Sequence, residues 1–109
     1  MDKFSVHLSN FLRLAHSSAL LVSDGDKANL DVLLTMLGPV DKEIMEAYFG
    51  LFGTPVMQPA LIAEKYGVTA SAIEEIVAKD IRRLSITPEW QMMAGQLSVV
   101  VKKRIGFEI

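Results

Sequence analysis

Apolar residues in this chain recur mostly three and four positions apart, the repeat that lines one face of an α-helix. Phe4, Leu8, Phe11, Leu12, Ala15, Ala19 and Val22 keep that spacing and predict a first helix, with Ser5, Asn10 and Arg13 on its other faces. The polar run Ser23-Asp24-Gly25-Asp26 interrupts it, and Asp26 is placed to cap a second helix striped by Leu30, Leu33, Leu34 and Leu37. Gly38-Pro39 ends that helix. Pro39 also suits the first position of a third, because the N–H it lacks is unpaired there anyway. Val40, Ile44, Tyr48 and Leu51 line one side of this third helix, and Gly50 or Gly53 supplies its stop. Thr54 to Gln58, which includes Pro55 and precedes Pro59, reads as a loop too short to divide domains.

The stretch Pro59 to Leu84, PALIAEKYGVTASAIEEIVAKDIRRL, carries the most specific pattern. Ala63 is small enough for two helices to cross closely, and Gly67 lets the chain turn sharply four residues later. Val68 is expected to point inward and Thr69 to cap the next helix, whose Ile73, Ile76, Val77, Ile81 and Leu84 share one face. Together these features predict a helix-turn-helix. Beyond it, Thr87, Pro88 and Glu89 read as a helix start, and Trp90, Met93, Ala94, Leu97 and Val101 as the buried face of one further helix. Lys102, Lys103 and Arg104 complement its carbonyl end and Gly106 stops it, although Val99 to Val101 would equally suit a strand. The pattern predicts an all-α fold, a compact bundle of five or six helices built around the helix-turn-helix. It is a single domain over residues 1–109, with N-terminal helices in 1–36, a core in 37–85 and a C-terminal helix in 86–109.

The run LGPVDKEIMEAYFGLFG followed by LIAEKYGVTASAIEEIVAKDIRRL is similar to region four, the C-terminal promoter-recognition domain, of bacterial housekeeping-type sigma factors. Tyr48-Phe49-Gly50-Leu51, Ile62-Ala63 through Gly67-Val68-Thr69, and Ile73 to Leu84 with Ala78-Lys79 and Arg82-Arg83-Leu84 carry the likeness, over roughly Leu37 to Ser85. The resemblance implies that the second helix of the motif lies in the major groove of promoter DNA and that the domain docks on RNA polymerase. Ala70, Ser71, Glu74 and Glu75 stand where that family usually carries Arg, Glu, Arg and Gln. Such side chains cannot make the bidentate arginine contact to guanine, and carboxylates are repelled by phosphates; a glutamate can still accept from the cytosine amino group.

Charge narrows the reading. Eleven Lys and Arg against thirteen Asp and Glu leave a net charge of −2, so the chain lacks the overall positive field of a protein that holds nucleic acid by charge alone. DNA contact would have to be local, through Lys65, Thr69, Ala70, Ser71, Glu74, Glu75, Lys79, Arg82 and Arg83. Between Ala70 and Leu84 the charges cancel, so the three cations equally suit balancing Glu75, Asp80 and the helix dipole. With no cysteine there is neither a disulfide framework nor a thiolate site. His7 and His16, nine residues apart, fall on different helix faces and read as surface or boundary residues, not a metal pair. Glu74 and Glu75 point about 100° apart, which does not suit an acid–base couple. No phosphate loop or nucleophile elbow is present, so no catalysis, metal or cofactor is assigned.

The N-terminal apolar run is broken by Arg13 and His16, which argues against a signal peptide, and no window suits a membrane span. The expectation is a soluble cytoplasmic protein acting in transcription. Its first candidate partner is double-stranded DNA, read in an altered way. The alternative is a degenerate helix-turn-helix that binds RNA polymerase, a sigma factor or another transcription protein. The apolar stripes outside the core could pair two copies as a homodimer.

Overall fold

The computed structural model describes residues 2–107, the side chain of Ala19 excepted, and places them in helices with no strand. Seven α-helices follow in order: α1 (Lys3–Ser17), α2 (Asp24–Thr35), α3 (Pro39–Phe49), α4 (Pro59–Tyr66), α5 (Ala70–Ser85), α6 (Pro88–Gln96) and α7 (Val99–Ile105). The five or six expected from the apolar pattern become seven because the last expected helix is two. Leu97 is extended at φ −65°, ψ 155°, and the Ser98 side chain accepts from the Val101 N–H, starting α7 afresh. Val99 to Val101 are thus helical, not a strand.

Two other boundaries move for local reasons. α1 stops at Ser17, where the Ser17 hydroxyl bonds back to the Arg13 carbonyl, and a short 3-10 turn, Ala19–Leu21, carries the chain on to buried Val22. The N-cap of α2 is Ser23 instead of Asp26. Ser23 Oγ accepts from the Asp26 N–H, and Asp26 reaches back to the Ser23 N–H in a reciprocal capping box.

Other signals act where the pattern puts them. Pro39, Pro59 and Pro88 open α3, α4 and α6, and Thr69 and Thr87 cap α5 and α6. Gly50 ends α3 in the left-handed region at φ 68°, and no larger residue fits there. A Cβ would fall 2.6 Å from Val56 Cγ2 and 2.7 Å from His16 Nδ1.

α5 packs against α1, α3, α4 and α6, while α7 lies on α1. One buried cluster draws side chains from all seven helices, with Trp90, Phe11, Leu8, Met45, Ile62 and Ile73 at most 1% exposed. Trp90 and Phe11 meet with ring centroids 5.6 Å apart. Each such burial is worth about 1.5–3 kcal/mol, so α5, which contributes Ile73, Val77, Ile81 and Leu84, is fixed on its inner face by the core itself. Val40 and Val68 were expected on inner faces but are 52% and 43% exposed. Val68 is held by its backbone instead, its N–H bonding the Ala63 carbonyl across the turn after α4.

Candidate functional site

α4 and α5 are joined by three residues, Gly67, Val68 and Thr69. Gly67 takes φ 67° at the end of α4, and Thr69 Oγ1 accepts from the Ala72 N–H at the start of α5. Because the inner stripe of α5 is buried, its outer stripe must face solvent. Thr69, Ala70, Ser71, Glu74 and Glu75 at the head, and Lys79, Arg82 and Arg83 towards the tail, are all exposed. At about 100° per residue, Ser71, Glu75, Lys79 and Arg82 fall within about 80° of one another, and Arg82 lies about 16 Å along the axis from Ser71. Ser71, Glu75, Lys79 and Arg82 therefore form one line, acidic toward the head and basic toward the tail, with Glu74 and Arg83 on its opposite flanks.

Two of the expected contact residues, one on α4 and one at the head of α5, are already engaged. Lys65, exposed on α4, pairs with Glu43 of α3 and lies 5.5 Å over the Tyr66 ring, so its charge is largely taken up locally. The Lys65 hydrogen bond, with its charge, holds the Glu43 carboxyl below the usual range. Glu74 accepts from the Tyr48 hydroxyl at 2.8 Å and so leans toward α3. Burial, and then this bond to Glu74, push the Tyr48 phenol above its ordinary value. In contrast, Lys79, Arg82 and Arg83 form no ion pair with a described carboxylate: among the described residues the pairs are Lys65–Glu43 and Lys42–Asp31.

Asp80, expected only to offset nearby cations, is fully buried on the inner face of α5. Neither carboxyl oxygen has a partner able to donate to it. Burial first, then a hydrogen bond and repulsion from Asp41 on α3, push the Asp80 carboxyl up to about 7, against the pull of Lys79 and Arg83. Two carboxylates side by side have only acceptors to offer; one shared proton turns the contact into a bond. The helical repeat contained the signal, since position 80 is seven residues beyond Ile73 and four before Leu84 on the apolar face.

Of the two histidines, His16 is exposed as expected and His7 is not. His7 is buried at 7% exposure, edge-on to Phe107, with Nδ1 unpartnered, because its position on α1 faces the packed α7. His16 Nδ1 lies 3.0 Å from the Gly50 carbonyl oxygen. Among the described residues, no group of three or more His, Asp or Glu is arranged to hold a metal ion, and no helix is long and apolar enough to cross a membrane. No protein-family model, curated protein or solved structure matches this chain.

Proposed function

We propose that the chain is a transcription-associated DNA-binding protein in which α4, the Gly67–Thr69 turn and α5 act as a helix-turn-helix resembling sigma factor region four. The outer stripe of α5 lies along a groove of the duplex, with Lys79, Arg82 and Arg83 at phosphates. The observation that supports this reading is that Ser71, Glu75, Lys79 and Arg82 share one exposed stripe whose cations have no described carboxylate partner. Base reading is altered: Ala70 and Ser71 offer little to a base edge, and Glu75 is suited only to accept, as from the cytosine amino group.

Anisotropy of labelled duplexes of several sequences, titrated against salt, tests it. Lys79→Ala and Arg82→Ala should each weaken binding about equally on every sequence and reduce the salt slope by about 0.9 per lost phosphate contact. Binding that is unchanged by both substitutions rejects the DNA role.

A second reading is favoured by the engagement of Lys65 with Glu43, which takes up the nearest positive charge and leaves the head of α5 acidic. In that reading the head docks on a basic surface of RNA polymerase or a sigma factor. Glu74→Arg combined with Glu75→Arg should then abolish co-purification with RNA polymerase. Retention of the polymerase by this variant removes the second reading.

A further inference from the structure

Between α1, α2 and the loop that follows α3 lies a cavity of about 530 Å³, within the roughly 300–1,000 Å³ range of small-molecule sites. Its floor is apolar: Leu30 and Leu51 are each 1% exposed, with Ala15 and Pro55 beside them. Its polar side carries Lys27 and His16, and no described carboxylate lines it. Lys27 is half-buried and has no ion pair with a described carboxylate. His16 is oriented by the loop, because the Gly50 carbonyl 3.0 Å from its Nδ1 can only accept. The proton therefore sits on Nδ1, and Nε2 is left for another partner.

The wall itself is a defined shape. Gly50, Phe52 and Gly53 take φ of 68°, 53° and 79°, and the close approach of Val56 and His16 to Gly50 leaves no room for a side chain there. A left-handed Phe52, itself 43% exposed, lies between two left-handed glycines in this lining.

The chemistry of the lining selects among small molecules. An amine would face Lys27 with like charge. A polyanion would find a single ammonium above an apolar floor. A neutral apolar molecule would shield Lys27 from water and give it no partner. An organic acid with one carboxylate and an apolar body matches both parts of the lining. We propose that this cavity binds a small organic monocarboxylate, its body against Leu30 and Leu51 and its carboxylate at the Lys27 ammonium. The site stands whether α5 meets DNA or protein.

Three probes with one tail and different heads test it: decanoate, decanol and decylamine, each titrated below its aggregation threshold into the full isotope-labelled chain and followed by amide NMR shifts. Decanoate should move the Leu30, Gly53 and Thr54 amides and bind about three- to tenfold more tightly than decanol, the gain of one partly shielded ion pair. Decylamine should bind most weakly. Lys27→Met keeps the stem and should bring decanoate to the level of decanol, while Lys27→Arg should keep the preference. The proposal is overturned by no binding of any probe, by equal affinity for the three heads, by a preference that survives Lys27→Met, or by shifts centred away from this cavity, as in the α2–α6 groove at Met92.

Discussion

At its head α5 turns Thr69, Ala70, Ser71, Glu74 and Glu75 to solvent, whereas toward its tail Asp80, Ile81, Leu84 and Ser85 are each at most 3% exposed. One continuous helix thus carries head positions that bear little packing, although Ile73 among them is buried, and tail positions that are closed into the core. At the tail the core dictates which side chains are tolerated. At the exposed head positions almost any polar or small residue preserves the fold, so their composition is open to be set by a partner. Lys79, Arg82 and Arg83 belong to the tail but lie on its outer side, which puts positive charge on the solvent side of a helix whose inner face is buried.

The widest gap between the two ends should appear in stability. Ile81→Ala removes a side chain that is 3% exposed and should cost about 2–5 kcal/mol, since the surrounding helices cannot close the space. Ser71→Ala, on exposed surface, should change stability by no more than about 0.5 kcal/mol. Urea unfolding followed by far-UV circular dichroism measures both. Equal losses would mean that the head is also under packing constraint.

The buried carboxyl of Asp80 gives the tail a pH signature that the head lacks. The fold holds the Asp80 proton more tightly than the unfolded chain does, moving its value from 3.8 to about 7. Its contribution to stability is therefore fully present below about pH 4 and is lost as pH rises through about 7. Asp80→Asn offers Asp41 an N–H donor at every pH. The variant should be more stable than the parent above neutrality, by an amount on the order of a few kcal/mol, and the advantage should fade toward pH 4. Taking the difference between variant and parent separates Asp80 from Asp2, whose carboxyl the Ser5 N–H and hydroxyl hold low, and from Glu43, held low by Lys65; both act in the opposite direction. An advantage constant from about pH 4 to 8 would remove the shared-proton account.

Much of this architecture was legible because helix signals are local. The prolines that open α3, α4 and α6, the glycines at 50, 67 and 106, and the caps Thr69 and Thr87 act within a turn of their own position. What the repeat could not show was where a polar residue would break an apolar stripe. Ser98 caps a new helix inside a run that kept its spacing, and Ser17 with Ser18 ends α1 before its stripe does. The candidate site divides in the same way. Exposure of the α5 head follows from the burial of Ile73, Val77 and Ile81, one helix at a time. The Lys65–Glu43 and Tyr48–Glu74 contacts join residues 22 and 26 positions apart, and no periodicity within one helix encodes them. Asp80 was visible as a position and not as a charge: its spacing placed it inside, while its carboxyl suggested outside.

The smallest expected effect concerns the hydrogen bond that joins Glu74 at the head to Tyr48 of α3. Tyr48→Phe removes the donor to Glu74 and should cost about 0.5–1.5 kcal/mol, toward the lower end because Glu74 is exposed and regains water. Glu74→Ala removes the acceptor and should cost a similar amount, while the pair of substitutions should cost less than the sum, since the second change has no bond left to break. A double-mutant cycle in urea measures that coupling. If the two losses simply add, the bond does not hold Glu74 toward α3, and the carboxylate is then free to turn into the outer stripe beside Glu75. In that case the head of α5 presents two outward negative charges where the proposed groove contact needs few, and the docking of an acidic helix head on a basic protein surface becomes the better account of the same stripe.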